Sequence, residues 1–307
     1  MNRSKDVTLI LILGVTLSIG VFSSFGLPIS STKDQAAGVI TINEKSGISY
    51  FDNLFLEAKA VYVWDIKNDE VLYEKNSTLQ LPLASLNKIM TAIVALEGKT
   101  ETIVINSADI RATGDSGFKQ GELFEKKEIV KLMLTSSSND AASAIASSYS
   151  DVSVGVDPKQ KFIEAMNNKA EELGLKQTYY LNESGLDLTE TISGGHGSAK
   201  DIAKLLYYGV VHHSDVFAVT TEISEKISSK ERSHLVKNTN TLVETFPGIL
   251  ASKTGFTDMA QGNLAVVFNL GLNRPIAVVV LGSTYDGRFE DTRKLVSTTI
   301  KLLGERE

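Results

Sequence analysis

Hydrophobic positions along the 307 residues fall into two periodicities, and the two occupy different parts of the chain. From Ala58, "AKAVYVWDIKNDEVLYEKN" holds two β-branched and aromatic runs around Lys67-Asn68-Asp69, which predicts a hairpin. Helical spacing follows: Ile89, Met90, Ile93, Val94 and Leu96 line one stretch opened by Ser85 and Lys88. Helices are also predicted over 125–135 and 139–149, with a short serine-rich break between them. A further helix, 157–174, has an Asp-Pro start and a glycine stop, and 197–211 has Ser198 as its N-cap. The last third changes character. "GILASKTG", "GNLAVVFNL" and "RPIAVVVLGST" are apolar, β-rich and separated by turn residues, so they predict adjacent antiparallel strands, and 289–305 closes as a helix. Strands at both ends with helices between them predict an α/β fold. One antiparallel sheet is built from both termini, flanked by helices, with an inserted helical lobe and a cleft between the layers.

The first 57 residues do not share this pattern. Arg3 and Lys5 precede a run without charge from Val7 to Ile29. Its strongly apolar part, Val7–Phe22, is long for a signal-peptide core and short for a full span, and adding Ser23–Ile29 makes it long enough to cross a bilayer. Residues 1–29 are therefore expected to be a membrane anchor or a signal peptide, with the anchor preferred because no A-x-A cleavage site is present. The basic flank should stay in the cytoplasm, which puts the rest of the chain outside. Residues 30–57, of mixed polarity, are expected to be a tether, and the folded domain to run over 58–307.

Composition narrows the chemistry. The chain lacks cysteine, so disulfides, thiolate metal sites and thiol nucleophiles are excluded. A net charge of −6 gives no basic footprint for nucleic acid. The four histidines, His196, His212, His213 and His234, have no zinc-motif spacing, and neither a metal nor an organic cofactor is expected.

A serine followed three residues later by a lysine occurs at Ser30–Lys33, Ser85–Lys88 and Ser116–Lys119. The first lies in the tether and the third in the loop "ATGDSGFKQGE". Only Ser85–Lys88 opens an apolar helix, where i and i+3 share a face and unpaired N–H groups of the first turn can stabilise developing negative charge. Ser137 and Asn139 form S-x-N where one helix breaks and the next begins; Ser137, Ser138 or Asn139 could equally be capping that helix. Lys253-Thr254-Gly255 ends a predicted strand, where it is either a common glycine turn or a place at which a ligand approaches the backbone.

The three motifs in this order are the signature of penicillin-binding proteins and serine β-lactamases. With their neighbourhoods, "ASLNKIMTAIVALE", "SSSNDAASAIA", "NESGLD" and "NTNTLVETFPGILASKTGFTDMAQGNL", the chain closely resembles the D-alanyl-D-alanine carboxypeptidases, the low-molecular-mass penicillin-binding proteins, over about residues 58–300. The resemblance implies a β-lactamase/transpeptidase-like fold and a serine peptidase that trims peptidoglycan stem peptides ending in D-Ala-D-Ala, with β-lactams as covalent inhibitors. It assigns Ser85 as nucleophile and Lys88 as its base. Ser137 would relay a proton, and Asn139 would hold lysine and substrate in register. Lys253 and Thr254 would bind the terminal carboxylate, and the backbone N–H groups of Ser85 and Phe256 would form the oxyanion hole beside Gly255. Ala251 stands where the family more often has glycine, and Leu86 and Asn87 stand inside the first motif. A D,D-endopeptidase, a β-lactamase and a non-catalytic cell-wall binding module remain alternatives. Against a β-lactamase, no E-x-x-L-N loop lies between Ser137 and Lys253.

Overall fold

The structure, a computed structural model of the chain, describes residues 50–306 except 111–115, 151–154, 247 and 272. The uncharged run Val7–Ile29 and the Ser30–Lys33 motif lie outside the described residues.

Strands β1 (Ala60–Asp65) and β2 (Glu70–Lys75) form the expected hairpin. Asp65 closes its turn by accepting from the backbone and side chain of Asn68, and Asp69 takes a left-handed φ of +50°. The inserted lobe follows as α1 (Asn87–Glu97), α2 (Lys126–Ser136), α3 (Asn139–Ser147), α4 (Pro158–Glu172) and α5 (Ala199–His212). Asp157 and Ser198 cap α4 and α5 by accepting from Lys159 N and Asp201 N. A second hairpin, β3 (Ser224–Ser228) and β4 (Ser233–Lys237), leads to β5 (Ile249–Thr257), β6 (Gln261–Asn269), β7 (Pro275–Ser283) and the closing helix α6 (Gly287–Gly304).

The main sheet runs β5-β6-β7-β1-β2, all antiparallel, so the two ends of the folded chain meet at β7 and β1. Successive side chains on its strands divide between two cores. Ala60, Tyr62, Ala265, Val267, Ala277 and Val279 face the helical lobe, and α5 lies on these mostly small residues. Val61, Val63, Leu264, Val266, Phe268, Val278 and Val280 face the other way, under Leu295, Val296, Leu302 and Leu303 of α6. Burial on both faces explains why β6 and β7 read as continuous apolar runs without alternation.

Residues 50–57, expected to belong to the tether, pack against the folded domain. Phe51 and Leu56 are buried with the α6 core, and Phe51 stacks on Tyr73 with ring centroids 4.9 Å apart. Asp291 of α6 accepts from the N–H groups of Glu57 and Ala58 at 3.2 and 2.8 Å. The folded body therefore already includes Tyr50–Glu57, where sparse aromatic anchors without a sustained period gave no sequence signal.

The β3–β4 hairpin was also absent from the sequence reading. Of its apolar residues only Ile227 and Val236 are buried, while Leu235 is 74% exposed, so its pattern is that of a polar surface segment.

Candidate active site

The chain approaches α1 along the short strand Leu81–Pro82, and Leu83 N–H bonds to Gly195 O at 3.0 Å. Ala84 then takes a left-handed φ of +50°, an unfavourable conformation for a residue with a Cβ. Asn263 on β6 braces this bend: its Nδ2 donates to the carbonyls of Pro82 and Leu83, both at 3.0 Å, and its Oδ1 accepts from Gly282 N. A 3₁₀ turn, Ala84–Leu86, carries Ser85 into α1, and no side chain caps either helical start. Lys88, one turn on, has no exposed surface. Its Nζ lies 2.9 Å from Ser85 Oγ, 2.8 Å from Asn139 Oδ1 and 2.7 Å from Ser184 O. Serine and lysine thus share a face and a hydrogen bond.

The junction between α2 and α3 divides its polar residues between capping and the cleft. Ser138 is the cap, accepting from Ala141 N at 3.0 Å. Ser137 ends α2 in the left-handed region, φ +61°, and its Oγ accepts from Lys253 Nζ at 2.8 Å. Asn139, the first residue of α3, turns its Oδ1 to Lys88. The capping reading is therefore correct for Ser138 alone.

Strand β5 forms the opposite wall. Lys253, 1% exposed, reaches Ser137 and its neighbour's carbonyl, Thr254 O, at 2.9 Å. Burial lowers its pKa well below an ordinary lysine's, and the positive charges of Lys88 and Arg288 lower it further. Thr254 Oγ1 shares a hydrogen bond of 2.5 Å with Thr239 Oγ1. Gly255 is where the walls meet: a Cβ there would lie 2.9 Å from Leu83 O and 3.3 Å from Ser85 N. On an antiparallel edge strand alternate residues turn both backbone groups outward. Ser252 N–H reaches Thr220 Oγ1 at 2.9 Å and Thr254 C=O accepts from Lys253, so Phe256 continues the outward set. Its N–H therefore points away from β6, at the open edge of the sheet. The Phe256 ring, 38% exposed, packs edge-on against Tyr285.

Several contributors had no assigned role in the sequence reading. Gly185, in "NESGLD", has φ +82°, and a Cβ there would sit 1.8 Å from Ala84 O, so this loop fits against the Ser85 turn only as glycine. Neighbouring Ser184 supplies a carbonyl to Lys88. Arg288, at the start of α6, is buried and donates to Gly255 O at 2.8 Å. Its guanidinium lies over the Tyr285 and Phe289 rings, and it adds positive charge behind Lys253. Asn263 could have been suspected from "GNL" in the resemblance; Arg288 has no signal beyond a charge at a helix start. Ser116, set aside as a loop residue, shares a hydrogen bond with the Ser138 hydroxyl.

A family profile described as D-alanyl-D-alanine carboxypeptidase matches residues 51–284. The chain belongs to this family. It is 32% identical over 252 residues to the D-alanyl-D-alanine carboxypeptidase DacF of Bacillus subtilis, covering 78% of this chain and 61% of that one. The chain thus spans about three-fifths of the length of DacF. It is 30% identical over 237 residues to a D-alanyl-D-alanine endopeptidase of Pseudomonas aeruginosa, with 74% and 71% coverage. Penicillin-binding protein D2 of Listeria monocytogenes, solved in an ampicillin-bound form, superposes with a TM-score of 0.68 at 28% identity, over 80% of this chain and 98% of that one. The antiparallel sheet from both termini with an inserted helical lobe is the fold of the penicillin-binding proteins, as the motif order implied.

Proposed function

We propose that this D-alanyl-D-alanine carboxypeptidase family member is a serine D,D-peptidase that cleaves the terminal residue from peptidoglycan stem peptides ending in D-Ala-D-Ala, through an acyl-enzyme on Ser85. The observation that carries the proposal is the convergence of two buried lysines on two serines: Lys88 on Ser85 at 2.9 Å and Lys253 on Ser137 at 2.8 Å. A serine hydroxyl attacks a carbonyl only when its proton is taken. Lys88 in its neutral form is the acceptor, with its remaining hydrogens held by Asn139 Oδ1 and Ser184 O. Ser85 Oγ bonds to the penultimate D-Ala carbonyl carbon, and the carbonyl oxygen takes up negative charge between the N–H groups of Ser85 and Phe256. Collapse expels the terminal D-Ala amine, which takes a proton from the Ser137 hydroxyl while the proton held by Lys88 replaces it, leaving Lys88 neutral again. Water then attacks the ester, its proton passing to the same base, and Ser85 is released. Lys253 and Thr254 bind the substrate's terminal carboxylate. No step needs a metal or an organic cofactor.

A β-lactam ring presents the same carbonyl and acylates Ser85. Labelling with a fluorescent penicillin tests the reading: a stable label that disappears in Ser85→Ala supports it. Rapid loss of label indicates a β-lactamase, and an unlabelled wild type an inert wall-binding module. The endopeptidase name of the Pseudomonas relative supports a second activity on cross-linked peptides, distinguished by product analysis on cross-linked and uncross-linked substrate. We further propose that Val7–Ile29 holds the domain at the outer face of a bacterial membrane, or directs its secretion if removed. Membrane fractionation and the N-terminus of the mature protein separate these outcomes.

A further inference from the structure

One buried ionic cluster outside the cleft lies where the tip of the β3–β4 hairpin meets residues 116–123. Glu122 is buried, and it accepts from Arg232 Nε and Nη2 at 3.1 and 2.6 Å and from Lys119 N at 3.1 Å. His234 Nε2 lies 2.5 Å from Oε1, the oxygen that also accepts from Arg232 Nε, and its imidazole packs against both the Phe118 and Phe124 rings. Burial pushes the Glu122 carboxyl up, but the hydrogen bonds from Arg232 and His234 outweigh it and hold it down at about 2. Arg232 also donates to Gly117 O at 2.7 Å, Lys230 N to Leu123 O at 2.8 Å, and Leu123 N to Glu231 Oε2 at 3.0 Å. The tip is thus fastened to the loop from Gly117 to Leu123.

Both ends of this arrangement reach the cleft. Ser116, directly before the clamped loop, bonds to Ser138, the cap between Ser137 and Asn139. At the hairpin's base, Thr239 N–H donates to Thr135 O at 3.2 Å near the end of α2, and Thr239 Oγ1 meets Thr254 Oγ1. One hairpin is therefore linked to the S-x-N wall through the loop fastened at its tip, and to the K-T-G wall through Thr239 at its base. With only Ile227 and Val236 buried, it has little apolar surface to fix its own position. A buried ionic cluster adds little net stability over an apolar one, but it permits few geometries.

We propose that the β3–β4 hairpin is a positioning device for the peptidase site, and that Glu122, Arg232 and His234 are positioning residues acting through Ser116 and Ser138. The clamp holds Ser116 against Ser138, and that contact fixes the turn from which Ser137 and Asn139 reach the two lysines. The inference rests on the proposed roles of Ser137 and Asn139 in acyl transfer.

The test uses the full chain and a fluorescent penicillin, with D-Ala release from a D-Ala-D-Ala peptide measured in parallel. Glu122→Gln and Ser116→Ala should each slow acylation roughly tenfold to a hundredfold, lowering kcat more than they raise KM. The double variant should be no slower than the slower single one, because both changes remove the same constraint. Arg232→Lys, which keeps the charge and loses the two-pronged contact, should fall between wild type and Arg232→Met. Leu235→Ala, on the exposed side of the hairpin, should react like wild type. Ser116→Ala deletes one hydroxyl and keeps the test decisive should Glu122→Gln unfold the protein. Wild-type rates in Ser116→Ala, or single effects that multiply in the double variant, would overturn the proposal while leaving the peptidase reading intact. A wild type that takes no label would overturn that reading, and the positioning role with it.

Discussion

The two walls of the cleft are built on different physical terms. The helical wall is dense in side-chain hydrogen bonds: Lys88 alone bonds to Ser85, Asn139 and Ser184. The strand wall offers a backbone edge, one buried ammonium and a glycine without which the walls could not close on each other. A proton acceptor needs several fixed partners to hold its lone pair on the hydroxyl, which helix starts and inter-helix turns supply. Binding an extended peptide needs outward-facing N–H and C=O groups and a counter-charge, which an edge strand supplies. The division predicts that damage to the first wall stops chemistry, whereas damage to the second changes what is bound and how well.

Lys88→Ala tests that division with the largest expected effect. Acylation should fall by at least roughly 10²–10⁴-fold, the usual worth of a general base, for every substrate alike. A stopped-flow rate within a few-fold of wild type would show that Lys88 is not the acceptor.

Lys253→Ala should discriminate. It should cost roughly tenfold to a hundredfold for a D-Ala-D-Ala peptide, whose carboxylate loses a charged partner, and much less for the C-terminal amide. The wild type adds a pH signature. Because burial, Lys88 and Arg288 depress the Lys253 pKa, its charge is lost on raising the pH well before an ordinary lysine's would be. Peptide kcat/KM should therefore fall on that alkaline side, with no matching fall for the amide from this group. Equal losses for both substrates would remove the binding role from the strand wall.

Gly255→Ala probes the contact between the walls. Its Cβ would meet Leu83 O at 2.9 Å, so the strand and the Ser85 turn must separate by a few tenths of an ångström. Acylation should drop about tenfold with the fold retained, since small misplacements of reacting groups are costly. Unchanged kinetics would mean that the spacing is not critical.

Ser138→Ala should have the smallest thermodynamic effect, about 1 kcal/mol of unfolding free energy for a lost N-cap. Denaturant titration measures it. A loss near zero would show that Ser138 is not the working cap of α3, and would reopen the division of labour among Ser137, Ser138 and Asn139.

Much of the fold was legible in one dimension because its signals are local. Periodicity located α1 to α5 and the five strands of the main sheet, and cap residues at Asp157 and Ser198 marked their helix starts. The motif residues of the site were legible for the same reason, since Ser85 and Lys88 are one turn apart and Lys253 to Phe256 are consecutive. The β3–β4 hairpin and the anchoring of Phe51 and Leu56 were not, because each depends on one or two inward residues whose partners lie far along the chain.

By itself the sequence determined which groups are available for chemistry: no thiol, a serine and lysine on one helical face, and a second lysine beside a glycine on a strand. Tertiary structure alone decided their company. It chose Ser138 as the cap and so left Ser137 and Asn139 for the two lysines, and it set Arg288 behind Lys253. It also joined Ser116, Glu122, Arg232 and His234 across more than a hundred residues. Periodicity fixes which side of an element is buried, but a hydrogen-bond partner, and the charge state that depends on it, is set only when distant segments are packed within about 3 Å of each other.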